Sequence, residues 1–259
     1  MRRAIAIGLV GLSVGLSLPA DDAGAQRGRR DRGGFGGFGG GYIGIRPNTR
    51  YDGLFTFARI RYREIYSTGW AFDYPDTEEN FATILTEITT IKPFMDGGNV
   101  YDFDDPELLR YPIAYVSEPG YWYPTPSEAE GLRDYLAKGG FVIFDDFIFD
   151  QEWMVFEQGL RKAIPDAKIF PMDASHPIFD AFFHIKSLDI TYPRRPDVQA
   201  QFYGVYEDND PKKRLMIIIN HNNDIGDYIE HSGQGWHPIN LTNDAYKLAV
   251  NYIVYGMTR

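Results

Sequence analysis

Two apolar runs stop on groups that can do chemistry. Phe141, Val142, Ile143 and Phe144 lead into Asp145 and Asp146; Leu215, Met216, Ile217, Ile218 and Ile219 lead into Asn220, His221, Asn222, Asn223 and Asp224. Adjacent carboxylates repel each other, and a divalent cation or a shared proton relieves that repulsion. Asp145 and Asp146 are therefore candidates for a hard-cation site or a general acid/base pair, the bland alternative being a helix cap and a solvated neighbour. Asp224 and Asp227 enlarge the oxygen-rich set as further metal ligands. His221 is the histidine placed to act as an acid there, and Asn222 can grip ligand hydroxyls. Glu118 ends another apolar stretch and would lie close by if the strands run parallel. Arg59 and Arg61 alternate with Phe57 and Ile60, so one of them can face the site and bind a carboxylate; a surface or core salt link is the alternative. Trp122, with Tyr121, Tyr123, Trp70 and Tyr74, makes a candidate aromatic rim for stacking on a sugar ring, or else a lid packed on the core. His176, before Pro177, reads as a turn residue, while His184, His231 and His237 show no constellation. No spacing matches a zinc motif or the calcium loop. No glycine-rich phosphate loop or serine nucleophile elbow is present.

These groups need a scaffold. Apolar runs of this kind suit central strands covered on both faces, and open parallel sheets bind ligands beyond the carboxyl ends of their strands. Strands are predicted over residues 55–62, 100–103, 113–116, 141–144, 168–170, 203–207 and 214–220. The last two should form a hairpin around Asn209, Asp210 and Pro211. Asp76 with Glu79 predicts a capping box, followed by Phe81, Ile84, Leu85 and Ile88 on one helical face. Asp105, Pro106 and Glu107 predict a helical turn. Thr125, Pro126 and Glu128 predict a second capped helix, ended by Gly139 and Gly140. A further helix carries Trp153, Phe156, Leu160 and Ile164, and a final one covers about residues 243–255. The segment 171–201 has no clear period, and Gly226 is expected at positive φ within a loop. Strands alternating with amphipathic helices predict an α/β fold, a mostly parallel sheet with helices on both faces and one antiparallel edge.

The chain has 259 residues, 44% hydrophobic and 15% aromatic, which suits one well-buried α/β domain. Cysteine is absent, so disulfides and a thiol nucleophile are both excluded. Met1, Arg2 and Arg3 precede a short apolar stretch, and Ala23, Gly24 and Ala25 fit a small-x-small cleavage site. About fifteen apolar residues fall short of the roughly 20 that span a bilayer. The expectation is a signal peptide over residues 1–25, an exported periplasmic or secreted product, and no transmembrane segment after cleavage, an uncleaved membrane anchor being the alternative. A Gly/Arg-rich flexible linker is expected over residues 26–53 and the α/β domain over 54–259. Arg27, Arg29, Arg30 and Arg32 against Asp31 give residues 26–41 a charge of +3. The signal's own charges cancel, so the net −10 of the chain leaves −13 from Tyr42 onward. Such a domain repels nucleic acid and anionic membrane; a cation, a small polar ligand or a protein is the easier partner.

Several phrases carry a resemblance when taken in order. They are residues 57–62; Trp70 with Asp73, Tyr74 and Pro75; residues 115–120; 138–147; 176–179; 214–216; 220–227; and 251–258. Together they resemble the bacterial family catalogued as domain of unknown function 4159, over roughly residues 54–259. That family is similar in fold to the class I glutamine amidotransferases and the trehalose-utilisation-like proteins. The resemblance implies a flavodoxin-like three-layer sandwich. In active amidotransferases a cysteine nucleophile occupies the sharp turn that Asp145, Asp146 and Phe147 match here, so that chemistry is excluded. The expectation is a binding or scaffold module with an acidic pocket. The alternative is a hydrolase or lyase on carbohydrate or cell-wall material, with Asp145 or Asp146 as base or metal ligand and His221 as acid. Convergence of Glu118, Asp145 and His221 would favour the enzyme.

Overall fold

The computed structural model describes residues 45–63 and 69–258. The expected signal segment and most of the Gly/Arg-rich stretch lie outside the described residues. In chain order the elements are β1 (Ala58–Ile60), α1 (Asp76–Ile88), β2 (Asn99–Tyr101), β3 (Ile113–Ser117), α2 (Pro126–Ala137), β4 (Phe141–Phe147), α3 (Phe149–Ala163) and β5 (Phe170–Pro171). Then come β6 (Thr191–Tyr192), β7 (Arg195–Gln199), β8 (Gln201–Tyr206), β9 (Leu215–His221), α4 (Ile225–Glu230) and α5 (Ile239–Thr258). Seven strands form one sheet in the order β2-β1-β3-β4-β9-β8-β5, and β6 pairs β7 in a separate hairpin. The five strands from β2 to β9 are parallel, whereas β8 and β5 are antiparallel to their neighbours.

Alternate strand residues divide between two apolar cores. Val142, Phe144, Ile217 and Ile219 pack with α2 and α3, while Ile143, Tyr115 and Ile218 pack with α1, α4 and α5. Period-two alternation therefore aims successive side chains of β4 and β9 at opposite faces. The register holds from Ile143 opposite Ile218 to Phe144 opposite Ile219, then shifts so that Phe147 faces His221. That irregularity at the carboxyl end of β4 turns Asp146 out of the regular pleat.

Local chemistry explains most of the elements. Thr125 Oγ1 accepts from Glu128 N and the Glu128 side chain accepts from Thr125 N, closing the expected capping box; caps of this kind are worth about 1 kcal/mol. The box expected at Asp76 does not form: Pro75 is the N-cap of α1, and Asp76 already lies within the helix. The strand expected over 55–62 shortens to β1, leaving Phe55 one bridge to Pro93. The segment 171–201 contains β5, the β6–β7 hairpin and a short 3-10 helix that His176 caps through Nδ1. The stretch after His221 is helix α4, not a loop, and Gly226 within it does not take positive φ. Asn48 bonds both the N–H and the carbonyl of Val100, which ties part of the expected linker to β2. Among the described residues, no helix is long and apolar enough to cross a membrane.

Candidate functional site

Strand order around β1 and β3 reverses direction, with β2 to one side of β1 and β4 beyond β3, which opens a crevice at their carboxyl ends. The connections after β1, β3, β4 and β9 all reach that edge. Five of its residues hold left-handed backbone without being glycine: Asp73, Glu118, Asp146, Phe149 and Asn222, with φ of 62°, 46°, 63°, 63° and 55°. Such conformations cost energy and gather where a side chain must be aimed.

The two adjacent aspartates have different fates. Asp145 is fully buried. It accepts from Tyr115 Oη at 2.9 Å, Asn220 Nδ2 at 3.0 Å, and the backbone N–H groups of Ile225 at 2.8 Å and Gly226 at 3.2 Å. It thereby joins β3, β4, β9 and the start of α4. Burial raises its pKa, and these four donors pull it back down. Asp146 takes the left-handed turn instead. Its Oδ1 accepts from Tyr192 Oη at 3.0 Å and its Oδ2 from Ser117 Oγ at 3.3 Å.

Asp146 meets Asp73 and Asp224, and one carboxylate oxygen from each of the three lies within 4.8 Å of the others. Some point is then no more than about 2.8 Å from all three oxygens, close to the 2.3–2.6 Å at which calcium takes carboxylate ligands. Asp224 is the N-cap of α4, its Oδ1 accepting from Asp227 N at 2.7 Å. Asp73 arrives from the connection between β1 and α1, and its Oδ2 is buried with no hydrogen-bond partner. A Cβ at Gly226 would stand 2.6 Å from that oxygen, so only glycine leaves it room. Burial first, and then the charge of Asp145, push the Asp146 pKa up to about 7. Burial and the Asp146 charge also raise Asp73 and Asp224 well above the usual carboxylate range.

Arg59 lies beneath this cluster, fully buried. It pairs with Glu78 at 2.6 Å, donates to the carbonyls of Trp70 and Phe72, and stands 5.0 Å above the Tyr115 ring. Burial opposes its charge, but Glu78 outweighs that and keeps its pKa raised. Its charge also tempers the acidity shift of Asp73.

A family model, Domain of unknown function (DUF4159), matches residues 56–257. The chain belongs to the DUF4159 family. No curated protein matches it. The DUF4159 match takes in every residue of the acidic cluster.

Within the DUF4159 domain, several expected site residues lie elsewhere. His221 sits on the opposite face of the sheet from Asp145, between Phe147 and Trp153, with Nδ1 3.3 Å from Gln201 Oε1 and Nε2 3.2 Å from the Phe149 carbonyl. Burial lowers its pKa. Period two separates Asn220, which reaches Asp145, from His221, which cannot. Asn222 accepts from Phe149 N and serves the turn into α3. Arg61 makes a two-pronged surface pair with Asp102, away from the cluster. Trp122 is fully buried against Phe103 and Phe144, so it is core and not rim. Trp70 and Tyr74 are also buried, whereas Tyr121 and Tyr123 stay exposed. Glu118 follows β3 as expected, its N–H donating to the Asp145 carbonyl at 3.1 Å and its own carbonyl accepting from Tyr62 Oη; the Asp145 and His221 side chains face opposite sides of the sheet, so the three groups do not converge.

Sequence does not single out Tyr192, Arg194, Glu230, His231 or His237, nor Asp73 by role. Tyr192 and Arg194 come from the unassigned segment. Asp227, Glu230 and His231 had a readable signal, because i, i+3, i+4 spacing shares one helical face, but it depends on α4 being helical.

Proposed function

We propose that this domain is an exported binding module that holds a divalent cation, and through it a small polar ligand, at the carboxyl edge of a flavodoxin-like three-layer sandwich related to the amidotransferases. The observation that carries the reading is the convergence of Asp73, Asp146 and Asp224 within 4.8 Å in a buried setting. Three carboxylates this close, two of them buried and Asp73 half-buried, repel strongly when ionised, and an oxygen-preferring cation such as calcium, magnesium or manganese relieves that. The unpartnered Asp73 Oδ2 and the space left by Gly226 support it. Phe72, Phe149 and Trp236 stand exposed beside these carboxylates and the neighbouring hairpin, offering apolar faces to a ligand such as a sugar. The basic start, short apolar stretch and small-x-small pattern of residues 1–25 support export.

The test is thermal unfolding of the protein in EDTA and with calcium, magnesium or manganese, beside an Asp146→Asn variant. At about 100 times its dissociation constant, the ion should stabilise the parent by about 2.7 kcal/mol and leave the variant unmoved. No shift with any of the three ions sinks the cation reading.

One observation favours a second reading, hydrolysis or elimination on carbohydrate or cell-wall material. Asp146 combines a left-handed turn, a pKa near 7 and a tyrosine partner, as a general acid or base would. His221 takes no part in it, being on the other face. Turnover of cell-wall sugars that is lost in Asp146→Asn would support this reading over binding alone.

A further inference from the structure

Beside the carboxylate cluster lies a second group of different chemistry. Asp227, Glu230 and His231 each offer a donor atom, all within 4.8 Å of one another. His231 Nε2 is 3.4 Å from Asp227 Oδ1 and 3.4 Å from Glu230 Oε2. His237, from the turn before α5, brings Nε2 to 2.8 Å from Asp227 Oδ2. Two ligands held about 2.0–2.1 Å from a tetrahedral zinc stand roughly 3.4 Å apart, so the two His231 separations suit a shared ion and the closer His237–Asp227 pair would open slightly to admit one.

The observation pointing to a ligand is that neither member of the closest pair is satisfied. His237 and Asp227 side chains are 4% and 10% exposed, yet His237 Nε2 and Asp227 Oδ2 have no aligned hydrogen bond to each other or to any other group. Buried polar atoms normally find partners. Here a ring nitrogen and a carboxylate oxygen face the same space at contact distance without the line of a proton between them. Arg194 covers only the other oxygen, Oδ1, at 3.1 Å and from an exposed position. The Trp236 ring lies 4.2 Å from the His231 ring, tilted by 31°, and Tyr228 meets His237 edge-on, which restrains both imidazoles.

We infer that Asp227, Glu230, His231 and His237 form a second metal site, for a borderline divalent ion of the zinc class. Two imidazoles select such ions, whereas the all-carboxylate cluster selects hard ones. The assignment does not rest on the first site, although Asp224 Oδ1 accepts from the Asp227 N–H and so places the two side by side.

Cobalt(II) is the probe, because its visible absorption reports nitrogen ligation and low coordination number. The EDTA-treated, dialysed protein is titrated with cobalt(II) while absorption and bound metal are read. The parent should take up one equivalent with intense visible bands, and zinc should displace it. His237→Gln, which keeps the volume of the side chain, and His231→Ala should each lower affinity at least tenfold. Asp146→Asn should keep the bands. Circular dichroism confirms that each variant is folded. Absence of bands in the parent, or unchanged bands in both folded histidine variants, overturns the site. Loss of the calcium, magnesium and manganese shifts with the cobalt bands intact would instead count against the first site alone.

Discussion

Replacing Asp145 with alanine is expected to destabilise the domain by on the order of 4 kcal/mol, because each of four buried donors would lose its acceptor at about 1–3 kcal/mol before relaxation. Those donors are Tyr115 Oη, Asn220 Nδ2 and the N–H groups of Ile225 and Gly226. Asp145→Asn should cost far less, since one amide oxygen can still face the three donors at Oδ2. Asp146→Asn should not destabilise the cation-free protein at all, as it removes a repelling charge and keeps an acceptor for Tyr192. Urea unfolding of the three variants checks this. If Asp145→Ala unfolds within about 1 kcal/mol of the parent, Asp145 is not the structural group described above. The contrast also means that changing both aspartates together would confuse folding with binding.

The second large effect concerns pH. In cation-free protein, stability should fall as pH rises from about 4 through about 7. An acid whose folded pKa is raised keeps its proton when the unfolded chain has released it. Between the ordinary value of 3.8 and the folded value of about 7 for Asp146, raising the pH therefore favours unfolding. The stabilisation is complete below the lower value and lost above the upper one. For Asp146 that interval corresponds to about 4 kcal/mol, and Asp73 and Asp224 are displaced in the same direction. Asp145 and Glu152 push Asp146 up as well, while the hydrogen bond from Tyr192 restrains the shift. Urea midpoints in EDTA across this range should decline in the parent and decline much less in Asp146→Asn. A saturating cation should remove most of the slope. Equal slopes in parent and variant would mean that Asp146 ionises freely in the folded protein.

Much of the frame was legible because period and punctuation agree in it. The run ending at Asp145, the box at Thr125 and the hairpin of β8 and β9 each combine hydrophobic pattern with a local signal. At Asp76 the same kind of signal failed, because the chain enters α1 through Pro75 and shifts the start by one residue. For the candidate site, sequence put polar groups at the carboxyl ends of β4 and β9 but could not divide them between faces. Asn220 and His221 are adjacent, so one reaches Asp145 and the other faces Trp153. Nor could it foresee that a turn at Asp146 would separate its role from that of Asp145, since backbone conformation at a single aspartate leaves no pattern. Asp73, Tyr192 and Arg194 arrive through irregular connections, where no period exists to place them.

The three clustered carboxylates come from positions 73, 146 and 224, and the hairpin bearing Tyr192 must also dock before Asp146 has its partner. Contacts so distant along the chain close late in folding. The repulsion among them is therefore expected only once β9, α4 and that hairpin have docked. An ion that binds there acts after the rate-limiting assembly, so its stabilisation is expressed in slower unfolding and not in faster folding. The cation would serve as a latch on the finished domain, and its loss would shorten the lifetime of the fold without hindering its formation.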